Sequence, residues 1–100
     1  MSNEAHYYRA KAYLDAGKTD GAMEDLKVLA KDTRNVYGAE AKYKVAQIYF
    51  DGGQTDKAEQ EVLNYIEVST PHTYWLARSF VLLADVYMKL GRNLDAKQYL

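Results

Sequence analysis

The sequence has no cysteine, one proline and one tryptophan among its 100 residues. The absence of cysteine excludes a disulfide framework and a thiolate zinc site, and it leaves the cellular compartment open. No apolar run approaches the roughly 20 residues of a membrane-spanning helix, so we expect no direct membrane insertion. The 13 basic and 14 acidic residues occur in both halves of the chain and give a net charge of −1. Because no basic patch stands out, nucleic acid is not an expected partner.

The sequence does contain an internal repeat, in which alanine, tyrosine, glycine and alanine recur in one register. The three sets are Ala10, Tyr13, Gly17 and Ala22; Ala46, Tyr49, Gly53 and Ala58; and Ala84, Tyr87, Gly91 and Ala96. The two alanines keep the same separation in every copy, whereas the third copy starts further from the second than the second does from the first. The variable length therefore lies between the copies, in segments 33–38 and 68–74.

Each copy predicts a hairpin of two helices, A and B, with a glycine at the end of helix A. Glycine fits there because it reaches the left-handed conformation without a Cβ clash. Helix A1 is predicted over residues 4–16 and helix B1 over residues 20–32. The apolar face of A1 is predicted to consist of Ala5, Tyr8, Ala12 and Ala16, with Tyr13 beside them. B1 is predicted to bury Ala22, Leu26, Leu29 and Ala30.

Helix starts are predicted from the residues that commonly cap them. Thr19, Thr55 and Asn93 each follow the turn glycine by two residues and are predicted N-caps of the B helices. Thr70 is predicted to cap helix A3, with Pro71 at the first helical position, where its missing N–H costs nothing. Helix A3 should then end near Leu90.

These residues resemble the tetratricopeptide repeat. The resemblance implies that the small residue of helix A lets helix B pack closely, that the tyrosine fills the hairpin, and that the alanine of helix B lies at the closest approach. The implied fold is all-α, a right-handed α-solenoid of antiparallel helical hairpins with two full repeats and a truncated third. Residues 1–100 would form a single array, with repeats at about 4–37, 39–70 and 72–100, and would be a fragment of a longer protein.

The family's usual period is about 34 residues. The longer spacing in this sequence is similar to that of bacterial cell-envelope members. Examples are the periplasmic partner of the Tol-Pal system and the outer-membrane assembly lipoproteins. This narrower resemblance implies a periplasmic or cell-envelope location rather than a cytoplasmic one.

The family's geometry implies that the A helices face a concave groove that binds a protein or peptide partner. The implied groove residues are Tyr7, Lys11, Leu14, Tyr43, Gln47, Phe50, Arg78, Val81, Asp85 and Met88. The alternative is that Tyr7 and Tyr43 pack between repeats. The lysine and asparagine clamp by which some members bind a chaperone's C-terminal carboxylate is absent, since its positions hold Tyr7 with Lys11, Tyr43 with Gln47, and Val81 with Asp85.

Catalysis has little support in the sequence, and we expect no enzyme, no metal and no cofactor. His6 and His72 lie in different repeats without a second ligand at metal-binding spacing, and His72 is expected to be solvated. Asp15 and Asp51 share a repeat position and are expected to be solvated surface charges. Three functions stay open: a non-catalytic interaction module, a structural spacer of a larger envelope protein, and, least favoured, an enzyme or small-ligand domain.

Self-association is a further expectation. Helix A3 is the most apolar of the A helices, yet the sequence that should form helix B3 ends at Leu100. Exposed apolar patches commonly mark contact sites. The A3/B3 end is therefore expected either to fray after about Asn93 or to bury this face against a second copy.

Overall fold

A computed structural model describes residues 1–68 and 70–91 of the chain. These residues form five α-helices and no strand, which confirms the predicted all-α helical repeat. The helices are α1 (Asn3–Asp15), α2 (Thr19–Leu29), α3 (Val36–Asp51), α4 (Thr55–Glu67) and α5 (Thr73–Lys89). They correspond to predicted helices A1, B1, A2, B2 and A3. Helix B3, with Asn93 and Ala96, falls in residues 92–100, outside the described residues.

The helices form antiparallel hairpins that stack in two layers. The A layer consists of α1, α3 and α5, and the B layer consists of α2 and α4. Helices α1 and α2 pack together, as do α3 and α4, and each hairpin stacks on the next through the α2–α3 and α4–α5 contacts. Within the A layer α1 contacts α3 and α3 contacts α5, whereas α2 and α4 make no contact with each other in the described part of the chain. No helix of that part is long and apolar enough to cross a membrane.

The turns within the hairpins are short, and each contains a glycine in the left-handed conformation. Gly17, Gly53 and Gly91 have φ of 73°, 81° and 77°, which confirms their predicted left-handed conformation. In the first turn the Lys18 N–H donates to the Tyr13 carbonyl at 2.8 Å and the Gly17 N–H donates to the Leu14 carbonyl at 3.1 Å. This pair of bonds is the Schellman motif, which satisfies carbonyls at the end of a helix.

The predicted caps of helices B1 and B2 are wrong by one residue. Thr19 and Thr55 are the first helical residues, the cap positions belong to Lys18 and Gln54, and neither cap makes a side-chain hydrogen bond. The physical reason is that the Schellman turn leaves no room for another non-helical residue, so the next helix starts at once. Helix α2 also ends earlier than predicted, at Leu29 rather than at residue 32.

The predicted start of helix A3 is wrong as well. Helix α5 begins at Thr73, two residues after Pro71. The Thr70 hydroxyl instead donates to the Thr33 carbonyl at 2.7 Å and accepts from the His72 N–H at 3.2 Å. His72 is half-buried rather than fully solvated, and its Nε2 lies 2.9 Å from the Arg34 carbonyl oxygen. The two connections between hairpins are thus bonded to each other.

The core consists of two clusters that share helix α3. The first contains Ala10, Ala22, Leu26, Leu29, Ala41 and Val45. The second contains Ala39, Tyr43, Ala46, Ala58, Val62, Tyr65, Leu82, Leu83, Ala84, Val86 and Tyr87. The repeat alanines of the described residues are all buried, as the packing argument predicts, and Ala30 is half-buried.

The predicted apolar face of helix A1 is wrong. Ala5, Tyr8, Ala12 and Ala16 are exposed, and Tyr8 retains 61% of its accessible surface. Helix α1 instead buries Ala10 and half-buries His6, Tyr7, Tyr13 and Leu14. The reason is the stacking direction, because the corresponding positions of later A helices, such as Ala41 and Ser79, are buried against the preceding hairpin.

Candidate functional site

A groove of about 350 Å³ lies between helices α3 and α5, on the layer of A helices. Its lining residues are Tyr43, Gln47, Arg78, Val81, Leu82 and Asp85. Five of these six belong to the ten residues that the sequence predicts for a partner site. Tyr43 and Gln47 are one turn apart on α3, and Arg78, Val81 and Asp85 follow one another along one face of α5.

Arg78 is the cation of this groove, and aromatic rings surround it. Its guanidinium carbon lies 4.9 Å from the centre of the Tyr43 ring, 5.6 Å from that of Trp75 and 5.8 Å from that of Tyr74. Nη1 donates to the Tyr74 hydroxyl and Nη2 to the Tyr43 hydroxyl, both at 3.3 Å. The hydrogen bond to Tyr74, together with the field of Tyr43, raises the pKa of Arg78.

The rings themselves are packed against one another. The centre of the Trp75 ring lies 4.8 Å from that of Tyr74, in an edge-on arrangement, and 5.7 Å from that of Tyr43. Arg78 reaches Tyr74 because the two are four residues apart on one helix, the spacing at which side chains meet. The aromatic base under Arg78 therefore consists mainly of residues outside the predicted set. The Tyr74/Arg78 spacing was the sequence signal that could have identified it.

A chain of hydrogen bonds fixes the α3 wall of the groove. The Tyr43 hydroxyl donates to Gln47 Oε1 at 2.9 Å, and Gln47 Nε2 donates to Asp51 Oδ1 at 2.8 Å. Tyr43 is only 8% exposed and belongs to the core. The α5 side is more open, because Val81 and Met88, which continues the same face of α5 beyond the groove, each retain 59% of their surface.

Besides Met88, four predicted residues lie outside this groove, three on helix α1 and one near the end of α3. The Tyr7 hydroxyl donates to both carboxylate oxygens of Glu40 at 3.1 Å, and burial raises the pKa of Tyr7. Lys11 Nζ lies 5.3 Å from the centre of the Tyr7 ring. Leu14 and Phe50 are partly buried and pack on the two core clusters. Tyr7, Lys11, Leu14 and Phe50 do not line the α3–α5 groove.

The first hairpin contains a buried charge cluster that was not predicted from the sequence. Asp25 on α2 is 1% exposed, its Oδ1 lies 2.8 Å from His6 Nδ1, and Arg9 donates to both of its oxygens at 2.7 and 2.8 Å. The hydrogen bonds from Arg9, and secondarily from His6, hold the pKa of Asp25 below its ordinary value. The Asp25 carboxylate on α2 is thus within hydrogen-bonding distance of two side chains on α1, and these contacts connect the two helices of the hairpin.

The second hairpin has an equivalent pair. Lys42 Nζ lies 3.1 Å from Glu61 Oε2. The two partners are separated in sequence by the same interval as His6 and Asp25. This shared interval was the signal that could have revealed both pairs from sequence. The third copy has Phe80 and Tyr99 at these positions, so it replaces the charges by aromatic residues.

Two other grooves carry less specific chemistry. One of about 470 Å³ separates α2 from α4 and includes Lys27, Lys31 and Arg34, together with the paired Lys42 and Glu61. Another of about 600 Å³ lies between the first two hairpin turns and includes Leu14, Met23, Ile48 and Tyr49. Both contain acidic as well as apolar or basic side chains, and neither combines a cation with a base of three aromatic rings.

The site offers no constellation of catalytic or metal-binding groups within the described residues. No group of three His, Asp or Glu side chains in that part of the chain could hold a metal ion. Asp15 and Asp51, which share a repeat position, are both exposed. The chemistry that the groove does provide is contact area, one cation, one carboxylate and hydrogen-bonding amide and hydroxyl groups, which suits recognition of another chain.

Comparison with known families agrees with this geometry. Two family models described as tetratricopeptide repeat match the chain, one over residues 4–32 and one over residues 77–100. The matches fall on the first and third copies and together cover just over half of the sequence. No curated protein and no solved structure matches at a significant level. Tetratricopeptide repeats generally mediate protein–protein interactions and act as non-catalytic scaffolds. With two matched copies and one stacked hairpin between them, the chain belongs to the tetratricopeptide-repeat family.

Proposed function

We propose that this protein is a non-catalytic interaction module that binds a peptide segment of a protein partner in the groove between α3 and α5. One observation carries the proposal. Side chains of α3 and α5, two helices that are remote from each other in sequence, come together around a single groove. The groove has apolar, cationic and amide character. Such a combination of contact surface and a few polar groups is typical of peptide recognition.

The curvature of the array favours the same side. Neighbouring A helices contact each other, whereas α2 and α4 do not in the described part of the chain. Helices on the inner side of a curved stack approach more closely than those on the outer side, so the A layer is the concave surface. A concave surface can contact a bound segment from several helices at once.

The exposed apolar residues of α5 are the contact residues that we favour. Val81 and Met88 are on the groove side of α5 and are largely exposed, so a partner can desolvate them. Tyr43 belongs to the core, and Phe50 is partly buried against it. Replacing those two aromatic residues would lower stability, and it would not separate binding from folding.

The test uses a library of random twelve-residue peptides displayed on phage. Peptides selected on the wild-type protein are synthesised, and their affinities are measured by fluorescence anisotropy for three proteins. The double variant Val81→Ser/Met88→Ser should bind at least about tenfold more weakly, because buried apolar anchors carry a large part of binding energy. The control is Val28→Ser, since Val28 is exposed on α2, outside the A layer.

Equal affinity of wild type and the double variant would overturn the proposal, as would an equal loss in Val28→Ser. Helicity and thermal midpoint are measured for each variant. Because all three positions are exposed, these values should stay close to those of the wild type.

A spacer role in a larger bacterial envelope protein is the second candidate, and helix α1 supplies the observation that favours it. Ala5, Tyr8 and Ala12 are exposed at positions whose equivalents in α5, Ser79, Leu82 and Val86, are buried against a preceding hairpin. A further helix stacked on α1 would bury this face in the same way. The envelope location is what the resemblance in repeat spacing and in the sequence of residues 39–50 implies.

A further inference from the structure

The cation of the groove has no acidic partner among the described residues. Ion pairs within that part of the chain include those that join Arg9 to Asp25, Lys42 to Glu61, and Lys44 to Glu40. Arg78 instead donates two hydrogen bonds of 3.3 Å, both to neutral phenol hydroxyls. A guanidinium has five N–H donors, so most of its donor capacity remains for a ligand.

The aromatic base holds Arg78 in place. Its guanidinium lies within 6 Å of three ring centres, the range of cation–π attraction. Stacking of this kind immobilises the planar group before a ligand arrives and leaves its N–H edge available. A ligand that forms a bidentate bond with Arg78 therefore meets a group that has already lost much of its conformational freedom.

The acid on the same wall of the groove does not neutralise Arg78. Asp85 lies seven residues further along α5, about 10 Å along the helix axis at 1.5 Å per residue. Val81 lies between them and is largely exposed. The α5 wall therefore presents a cation, then an apolar side chain, then an acid, in that order.

We propose that Arg78 binds an aspartate or glutamate side chain of the peptide that occupies the α3–α5 groove. This inference rests on the proposed function and adds the chemical class of the ligand. Val81 lies about 4.5 Å from Arg78 along the helix axis, which falls between the rise of one and of two residues in an extended peptide. The ligand therefore carries its acidic residue one or two positions from an apolar one.

The phage-displayed library described above tests this inference with two variants. Each peptide is fused through its C-terminus, so no free terminal carboxylate is presented and only acidic side chains can be selected. Selection is carried out in parallel on wild type, on Arg78→Gln and on Arg34→Gln. Arg34 is the matched control because it is an exposed arginine in the α2–α3 connection, outside the groove.

Wild type and Arg34→Gln should both enrich peptides that have Asp or Glu near an apolar residue, and Arg78→Gln should not. A synthetic pair that differs only by Glu→Gln should differ about 10- to 100-fold in affinity for wild type, the range expected of a charge-assisted hydrogen bond. The same pair should bind Arg78→Gln equally.

Two results separate failure of this inference from failure of the proposed function. Peptides that need Val81 and Met88 but show no acidic enrichment would overturn the role of Arg78 and leave the groove as the binding site. Selected peptides that ignore both Val81 and Met88 would overturn the groove itself. Acidic enrichment that persists in Arg78→Gln would assign the selection to another cation and would also overturn the inference.

Discussion

Asp25 shows how one buried side chain determines the stability of a hairpin. Its carboxylate accepts from Arg9 and lies within hydrogen-bonding distance of His6, so helix α2 is bonded to two successive turns of α1. A buried carboxylate without such partners would be strongly destabilising. These hydrogen bonds favour the charged form of Asp25 in the folded state and therefore lower its pKa.

We expect Asp25→Asn to lower the free energy of unfolding by about 2 kcal/mol at pH 7, the order found for hydrogen bonds to charged groups. The sign of the pH effect follows from the lowered pKa. The stabilisation is complete above the unfolded-state pKa, near 4, and is lost as pH falls through the lower folded-state pKa. Urea unfolding at pH 7 and at pH 3 measures both values.

The difference between wild type and Asp25→Asn should therefore shrink at pH 3. Glu24→Gln is the control, because Glu24 is an exposed acid next to Asp25. A difference that is equal at the two pH values would mean that the ionised form of Asp25 is not what stabilises the hairpin.

Among the elements, helix α3 joins the two halves of the core. Ala41 and Val45 contribute to the first cluster, whereas Ala39, Tyr43 and Ala46 contribute to the second. Small residues occur on both faces because helices α2 and α4 pack on α3 from different sides. Substitutions with larger residues on either face should therefore disturb a helix contact.

We expect Ala46→Leu to destabilise the α3–α4 contact, because both Ala46 and its partner position Ala58 are fully buried. Overpacking a close-packed core costs about 1–3 kcal/mol. In a chain of this length each kcal/mol corresponds to about 4–8 °C in thermal midpoint. Thermal unfolding followed by circular dichroism measures the shift, with the exposed Ala12→Leu as control. An unchanged midpoint for Ala46→Leu would mean that the repeat register does not place Ala46 at a tight contact.

Features that depend on a single residue position could be predicted from the sequence. Features that depend on backbone bonds or on a neighbouring helix could not. The glycines predicted the ends of the A helices, because a left-handed residue is a property of one position. The B-helix caps were missed because the turn length depends on two backbone bonds that residue types do not specify. The face of α1 was predicted wrongly because an apolar stripe shows which residues could pack, not which neighbour is there to cover them.

The candidate site was predictable in part. The resemblance to the tetratricopeptide repeat implied that Tyr43, Gln47, Arg78, Val81 and Asp85 share one surface, and these five residues line one groove of the structure. The burial of Tyr43 and the stacking of Trp75 under Arg78 depend on how α3 and α5 approach each other. That approach is a property of packing between repeats, and spacing within one helix does not contain it.

At the level of the whole molecule, the connection between the first two hairpins is packed closely against the start of helix α3. Gly38, in the first turn of α3, is buried against the end of α2. A Cβ atom at this position would lie 1.8 Å from the Asp32 carbonyl oxygen and 2.6 Å from that of Leu29. Both contacts are with backbone, so the connection must move to accommodate any side chain.

We expect Gly38→Ala to separate the unfolding of the first hairpin from that of the rest. In wild type, α3 contacts α1, α2, α4 and α5, so the array should unfold in one transition.

Trp75 is the only tryptophan and lies on α5, so its fluorescence reports the α3–α5 contact, whereas circular dichroism reports all helices. Urea unfolding should give coincident transitions by both probes in wild type. In Gly38→Ala the dichroism signal should begin to fall at lower urea than the fluorescence, because repeats that contact only their neighbours unfold separately once their interface is weakened. The control is Gly21→Ala, where the new Cβ would lie 3.1 Å from the Tyr13 ring within the first hairpin, so any change in stability arises without disturbing the α2–α3 connection. Coincident transitions in Gly38→Ala would show that the remaining contacts of α3 are sufficient to keep the array cooperative.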